Sequence, residues 1–308
     1  MRNLIVALFM LVSALAAGQD RIVSSNYFTG DNEYQYSFRQ YVGYERNMEL
    51  KSRDTLKPNM IFSVTPAAGW RHYFYDGAYN TYADARVSGS YRRGRNFRLG
   101  ASVSQLFSKE WSPTFMDGYA RYSFTRAAFE AYFEREAVGT PVTNDLRYSS
   151  SSIGSSFDYR IGRKSTLVLG MSRNEITDGN VRWFQTARTI YAFGRNSYVD
   201  LKLRRMYGSE WSPYYFSPRS VIQISSGYGL YSDLKNGGSL KIYAGAGFQE
   251  IEGYVMSMFS VDAKISFPVS SRMECEVVAG SRNFNEYLYH TLSIRLSYDL
   301  KKKAIPNK

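Results

Sequence analysis

The stretch Leu288–Leu300, LYHTLSIRLSYDL, alternates between apolar and polar residues. Leu292, Ile294 and Leu296 occupy its even positions, and Arg295 lies between two of them. Because side chains point alternately to the two faces of a strand, the stretch predicts a strand with one apolar and one polar face. A charge in mid-strand opposite an unbroken apolar face is typical of a membrane barrel, with lipid outside and water inside.

The same alternation runs through most of the chain, in segments that often reach twelve residues or more. A soluble antiparallel sandwich also alternates and is the alternative for this pattern. Strands of globular proteins are usually only about 5–6 residues long, however. Segment length therefore favours an all-β fold, a transmembrane antiparallel up-and-down β-barrel.

Short basic connections alternate with longer ones along the chain, as expected for the two ends of a bacterial barrel. The short ones lie at 92–96, 125–127, 161–164, 193–196, 234–238 and 269–272. The longer ones lie at 108–113, 137–147, 174–180, 208–218, 250–254 and 282–286.

These connections predict fifteen strands near 34–46, 59–74, 80–93, 96–107, 115–125, 127–136, 149–161, 164–175, 181–193, 197–207, 219–232, 238–250, 255–268, 272–284 and 286–300. Two termini on the periplasmic side require an even number, and Arg21–Phe28 is the segment that remains. We therefore predict about sixteen strands. Fourteen is the alternative, because the first strand is weak and the 47–58 connection is long for a periplasmic turn.

The N-terminus has the features of a secretory signal peptide. Met1, Arg2 and Asn3 form a short positive start, Leu4–Leu15 is apolar, and small residues follow up to Gly18. The predicted organisation is a signal peptide at 1–18, an outer-membrane barrel at 19–300 and a basic periplasmic tail at 301–308. The predicted location is the outer membrane of a Gram-negative cell, as a multi-pass barrel.

The composition fits such a barrel and argues against several other classes. The 27 Tyr and 19 Phe suit aromatic girdles at the two membrane surfaces. Cys275 is the single cysteine, which excludes an intramolecular disulfide and a cysteine-rich metal site. His72 and His290 are the two histidines, and neither is spaced as the partner of a nucleophile. We expect no enzyme activity, no metal and no cofactor.

The polar phase of the strands predicts a lumen with fifteen basic and eleven acidic side chains. The basic ones are Arg39, Arg71, Arg86, Arg92, Arg98, Arg121, Arg160, Arg182, Arg188, Lys202, Arg204, Lys241, Lys264, Arg282 and Arg295. The acidic ones are Glu45, Asp84, Asp117, Glu130, Glu134, Asp158, Asp200, Asp262, Glu274, Glu276 and Asp299. The basic excess slightly favours anions. For any single residue, an equally strong interpretation is that it pairs with an opposite charge on a facing strand and braces the barrel wall.

Three stretches resemble outer-membrane barrels of exopolysaccharide secretion. They are Phe133–Val138 (FEREAV), Ser172–Arg182 (SRNEITDGNVR) and Tyr215–Pro218 (YFSP). Over roughly residues 130–300 the chain is similar to the YaiO family and to the barrels of the poly-N-acetylglucosamine and cellulose export porins. The resemblance implies a barrel of about sixteen strands through which polymer passes. The exporters carry a periplasmic helical-repeat scaffold before the barrel, and its lack in this sequence favours the stand-alone YaiO-type barrels.

The sequence thus predicts a porin or an exporter for polysaccharide or small anionic solutes. The alternative is a structural or adhesive barrel with a plugged lumen, which binds partners through outer loops around Trp111 and Trp211. Expected partners are outer-membrane lipid and lipopolysaccharide, and polysaccharide with its synthesis machinery, but not nucleic acid. The candidate selectivity residues are Arg160, Arg182, Arg188, Lys202 and Arg204. The motif-loop residues are Asp178, Gly179, Asn180, Tyr215, Phe216, Ser217 and Pro218.

Overall fold

The computed structural model describes residues 19–31, 35–50, 59–75, 77–109, 111–138, 141–212, 215–234, 237–284 and 287–300. The predicted signal peptide at 1–18 and the predicted tail at 301–308 lie outside these residues. The described chain is built almost entirely of long antiparallel strands, with one short helix.

Sixteen strands follow one another along the described residues. They are β1 (Gln19–Gly30), β2 (Tyr36–Leu50), β3 (Met60–Tyr75), β4 (Ala78–Arg93), β5 (Phe97–Phe107), β6 (Thr114–Ser123), β7 (Ala127–Ala137), β8 (Ser149–Arg160), β9 (Ser165–Ile176), β10 (Val181–Ala192), β11 (Ser197–Gly208), β12 (Ser220–Asp233), β13 (Ser239–Ile251), β14 (Tyr254–Pro268), β15 (Met273–Phe284) and β16 (Tyr287–Asp299). The helix α1 (Pro141–Asp145) lies between β7 and β8.

Each strand pairs with its neighbours in sequence, and β1 also pairs with β16, which closes the barrel. That closing register runs from Arg21 opposite Asp299 to Gly30 opposite His290. The predicted barrel of sixteen strands is therefore confirmed, and the alternative of fourteen is wrong. The first strand looked weak in sequence because it carries several small polar residues, yet it forms a full ladder on both sides.

The outward face of the barrel is apolar and exposed along its whole circumference. Leu201, Ile224, Val103 and Val261 are among the outward side chains that stand about half exposed or more. A soluble protein rarely exposes a continuous apolar surface, whereas a membrane barrel presents such a surface to lipid. The soluble sandwich is therefore excluded by both the closed topology and the apolar exterior.

Both ends of the described chain lie at one end of the barrel, which we name the lower end. The opposite, upper end carries the segments 138–148, 177–180 and 209–219. Outward aromatic pairs such as Tyr122 and Phe124, with ring centroids 4.7 Å apart, lie at the lower end. The connection predicted at 250–254 is shorter than expected, because Glu252 and Gly253 alone turn the chain with positive φ angles.

The described residues contain no helix of the length and apolarity needed to cross a bilayer.

Candidate functional site: the lumen and its upper mouth

The strand registers place all twenty-six predicted lumenal charges on the inner face. Residues paired directly across an antiparallel ladder share a face. Arg182 of β10 is paired with Asn174, and Lys202 of β11 is paired with Ser225. Following such pairs from strand to strand around the closed sheet puts the predicted lumenal residues of every strand on the same face. The alternation in the sequence therefore predicted the faces correctly.

An ion pair crosses the upper lumen. Arg39 of β2 contacts Glu136 of β7 through both carboxylate oxygens, with Nη1–Oε1 at 3.0 Å and Nη2–Oε2 at 3.3 Å. Arg71 of β3 lies 3.9 Å from the same carboxylate. Four strands separate β2 from β7 in the sheet. The pair therefore spans the lumen, and does not merely brace neighbouring strands.

A second network lies against this bridge on the wall of β2–β5. The Arg71 guanidinium is buried, and its Nε lies 2.5 Å from Asp84 Oδ2. Tyr41 donates a hydrogen bond to the same carboxylate oxygen at 2.6 Å, and Arg71 Nη2 reaches Ser104 at 3.2 Å. A buried charge must be paired and hydrogen-bonded, and these contacts meet most of that requirement, although Arg71 Nη1 and Asp84 Oδ1 have no hydrogen-bond partner among the described residues. The pair also fills space that water would otherwise occupy.

Packed aromatic side chains complete a filled sector above this network. Tyr73, Tyr82, Leu106 and Phe115 are buried, although all four point into the lumen. Trp111 from the 108–113 loop covers them, with its ring in edge contact with Tyr82 at 6.3 Å. The upper lumen beside β3–β6 is therefore a small hydrophobic core, closed to solvent.

The 138–148 segment, which contains α1, folds inward onto the same sector. Thr143 and Asn144 are buried. Asn80 of β4 donates a hydrogen bond to Asp145 Oδ1 at 3.0 Å. Since β4 lies far around the wall from β7 and β8, these contacts draw the segment across the mouth of the barrel.

The 209–219 segment folds inward over the opposite wall. Phe216 packs on a cluster of buried lumenal side chains formed by Met206, Val221 and Ile251. Arg182 of β10 holds this segment from below, because its Nη2 donates to the Phe216 carbonyl at 2.7 Å. The Arg182 guanidinium also lies 4.7 Å from the centre of the Tyr215 ring.

Asn180 joins the two loops that carry the sequence motifs. Its side chain is 2% exposed, and Nδ2 donates to Ser217 Oγ at 2.6 Å and to the Glu210 carbonyl at 2.8 Å. Tyr215 donates to Asp178 Oδ2 at 2.5 Å from the other side. We name the contacts of Asn180 and Asp178 with the 209–219 segment the latch. Two motifs about 35 residues apart in sequence are thus one structural unit.

The two inward segments meet above the lumen. The rings of Tyr148 and Tyr215 make an edge contact with centroids 6.4 Å apart. Burial raises the pKa of Tyr215, and its hydrogen bond to Asp178 raises it further. The phenol therefore stays protonated and keeps donating to Asp178 over the ordinary pH range. We name the 138–148 and 209–219 segments together the cap.

A cluster of unpaired cations lies below the cap. Among the described residues, Lys202 and Arg204 of β11 and Arg282 of β15 form no ion pair. Arg282 lies near enough to Lys202 and Arg204 for the charges to repel one another. Like charges gathered in a confined space attract an anion. We name these three residues the cation cluster.

The five predicted selectivity residues have different environments. Lys202 and Arg204 belong to the cation cluster, whereas Arg188 of β10 is neutralised by Asp200 and Arg182 supports the cap. Arg160 lies apart, at the lower end of β8. Arg282 was on the predicted lumenal face but not among the five, because sequence spacing could not show that β15 approaches β11 across the lumen.

Lumenal tyrosines lie flat on glycines of the neighbouring strand below the cap. A Cβ built on Gly229 would lie 2.1 Å from Tyr198 Cζ, and one built on Gly154 would lie 2.5 Å from Tyr132 Cζ. These glycines let the rings rest on the wall. On the β1–β6 side, the lumen contains a cavity of about 380 Å³ lined by residues such as Arg86, Asp117 and Arg295.

The structure also shows the surroundings of His72 and of the two loop tryptophans. His72 points outward, stacks between Phe38 and Phe74, and contacts Thr81 Oγ1 at 2.9 Å. No group of three or more metal-ligating side chains occurs within the described ranges. Trp211 stands 65% exposed, unlike Trp111, so only one of these two loops presents its tryptophan to solvent.

No protein-family model and no curated protein matches this sequence. The barrel is similar to a solved "Bacterial polysaccharide outer membrane secretin", with 11% identity over 93% of this chain and 100% of that chain and a TM-score of 0.69. Two Pseudomonas aeruginosa structures are more distant. OccK7 (OpdD) has 12% identity over 93% of this chain and 99% of its own, and OprD has 9% over 92% and 96%, both with a TM-score of 0.46. At such identities the first likeness shows the fold alone: this chain has the closed barrel fold of an outer-membrane protein.

Proposed function

We propose that this chain is an outer-membrane channel of the porin type that conducts anionic solutes, either small anions or a polysaccharide that carries acid groups. The apolar exterior, the closed sixteen-strand sheet and the charged interior support insertion in that membrane. The segments at the upper end then face the cell exterior, and the lower turns face the periplasm. The YaiO-type kinship is part of this proposal, and the contact in the latch between two of its three motif stretches supports it.

The observation that carries the anionic cargo is the cation cluster. Several other lumenal arginines are matched to carboxylates, such as Arg121 to Asp158 at 2.6 Å and Arg295 to Glu45 at 3.1 Å. A barrel that needed only bracing would gain nothing from three cations that repel one another. An anion passing between them relieves that repulsion, so the cluster favours anions over cations of equal size.

The cap is consistent with a gated channel. Its two segments hold each other through one aromatic contact and fasten to the wall through hydrogen bonds. Such contacts are individually worth only about 1 kcal/mol, so the cap can open without unfolding the barrel. Loops folded into a rigid scaffold commonly perform this role.

A plugged structural barrel is the second candidate function. The Arg39–Glu136 bridge and the packed sector at β3–β6 favour it, because both obstruct the upper lumen, as expected for a barrel that is permanently closed. The exposed Trp211 would then be available to a binding partner. The two functions differ in whether any solute passes.

Swelling of proteoliposomes distinguishes these functions. Gluconate and sorbitol have similar size, but only gluconate is an anion. If the channel favours anions, the proteoliposomes should swell faster in gluconate. A variant lacking residues 139–147 should raise both rates, because it removes part of the cap. If neither the full barrel nor this variant admits either solute, the channel is refuted and the plugged barrel is supported.

A further inference from the structure

Three arginines face outward near the upper end of the barrel, where the wall is otherwise uncharged or acidic. They are Arg135 on β7, Arg173 on β9 and Arg205 on β11, each two or three residues from the upper end of its strand. All three side chains are exposed. Among the described residues, no other Arg or Lys faces outward in the upper half of a strand. The three therefore form one basic patch on alternate strands, which we name the outer arginines.

Aromatic side chains orient two of the outer arginines. The Arg173 guanidinium lies 5.6 Å from the Trp183 ring centre, and that of Arg205 lies 4.2 Å from the Tyr207 ring centre. Trp183 is paired across the strands with both Arg173 and Tyr207. Stacking on a ring holds the guanidinium in place while leaving its N–H groups free to donate.

The position of these cations favours an anion outside the barrel. An arginine on the lipid face is destabilising at the bilayer midplane and tolerated only near the membrane surface. Arg135 has no ion-pair partner within the described ranges, and the contact of Arg205 is with a ring. The charge of these side chains is therefore compensated best by anionic headgroups at the same level as the girdle residues Trp183 and Tyr207.

We propose that the outer arginines bind the phosphate groups of a phosphorylated glycolipid of the outer leaflet. Arginine suits this ligand because its fork of donors matches phosphate oxygens. Spacing on alternate strands, about 10 Å apart, suits two phosphates on one headgroup better than a single phosphate. The inference rests on the proposed outer-membrane location but is independent of whether the lumen conducts.

Glu175 provides an internal check on this assignment. Its carboxylate pairs with Arg173 two residues away on the same outward face. A phosphate must compete with that carboxylate for the guanidinium. Removing the carboxylate with Glu175→Gln should therefore strengthen lipid binding. If the ion pair only stabilises the fold, lipid binding should not increase.

The test titrates the purified barrel in detergent with bisphosphorylated lipid A, phosphate-free lipid A and inorganic phosphate, with bound lipid measured by native mass spectrometry. The matched variants are R135Q/R173Q/R205Q, which removes the outer arginines, and K202Q/R204Q/R282Q, which removes an equal charge from the lumen. Folding of each variant is checked by heat-dependent mobility on gels. R205Q alone provides a milder change should the triple variant fold poorly.

We expect bisphosphorylated lipid A to bind at least about tenfold more tightly than the phosphate-free form, and the outer triple variant to lose about the same factor. The lumen triple variant should bind lipid as the original barrel does. Equal binding of both lipids, or equal loss in both triple variants, overturns the proposal. If inorganic phosphate binds as tightly as the lipid, the patch is a site for free phosphate, and the proposal of a lipid ligand is overturned. Failure of anion conductance leaves all these lipid outcomes unchanged.

Discussion

Arg39 and Glu136 lie 97 residues apart in sequence and meet across the lumen at 3.0 Å. The bridge ties β2 to β7 and supports the packed sector that fills one side of the upper mouth. In the proposed channel, solute therefore passes on the other side, beneath the 209–219 segment and beside the cation cluster.

Breaking this bridge should destabilise the barrel. Glu136→Gln leaves Arg39 without its counter-charge in a partly buried site, and we expect a loss of about 1–3 kcal/mol in the free energy of unfolding. Denaturant unfolding in lipid vesicles measures that loss. R39Q/E136Q should cost less than the sum of the single changes, because the pair is then removed as a unit. Strict additivity would show that the two residues do not interact.

The latch should control access to the 209–219 segment. Asn180→Ala removes four side-chain hydrogen bonds to the 209–219 segment from a buried site, at a cost of about 1–3 kcal/mol, and frees the segment that carries Tyr215 and Phe216. We expect faster cleavage at these aromatic residues by chymotrypsin. Asn196→Ala, in an exposed lower turn, is the matched control. Cleavage at the same rate in both variants would refute the latch.

The contribution of Tyr215 to stability should depend on pH in one direction. Its pKa is raised in the folded barrel, so the stabilisation is fully present below the unfolded value of about 10 and is lost as the pH rises through the folded value. The stability advantage of the original chain over Tyr215→Phe should therefore stay constant from about pH 7 to 9 and shrink above about pH 10. Unfolding free energies across this pH range test the claim, and an advantage that already shrinks below about pH 9 contradicts it.

The glycines beneath lumenal tyrosines should keep the lower lumen open. In Gly229→Ala the new Cβ would collide with Tyr198, and the ring must move toward the free space of the lumen. We expect lower single-channel conductance and a cost of about 1–3 kcal/mol from overpacking. Gly194→Ala has open space around its Cβ and serves as the control. Equal conductance in the two variants would show that the ring does not border the conducting path.

The sequence contained the strands, their number and the face of each of the twenty-six predicted lumenal charges, because a period of two fixes the faces once the sheet is closed. It did not contain the partners across the lumen. Alternation placed Arg39 inside the barrel, but the predicted lumenal charges did not include Glu136, at the end of its predicted strand, and the pattern says nothing about which inner residues meet. The inward fold of the cap was equally hidden, because α1 and the 209–219 segment depend on contacts with distant strands.

The candidate site was likewise predictable from the sequence only in part. Lys202 and Arg204 were predicted from charge and phase, whereas Arg188 and Arg182 have partners that only the three-dimensional arrangement reveals. The motif residues were recognised as two separate loops, and the side chain of Asn180 unites them. An asparagine following Asp-Gly in a turn was the available signal, but turn chemistry alone explained it equally well.

The reversal potential of single channels in a planar bilayer, measured across a gradient of KCl, tests the central claim most directly. The cation cluster predicts selectivity for chloride over potassium, and K202Q/R204Q/R282Q should move the reversal potential toward zero. R135Q/R173Q/R205Q removes the same charge from the outer wall and should leave the reversal potential unchanged. Selectivity for potassium, or a reversal potential that the lumen variant does not alter, would contradict the account.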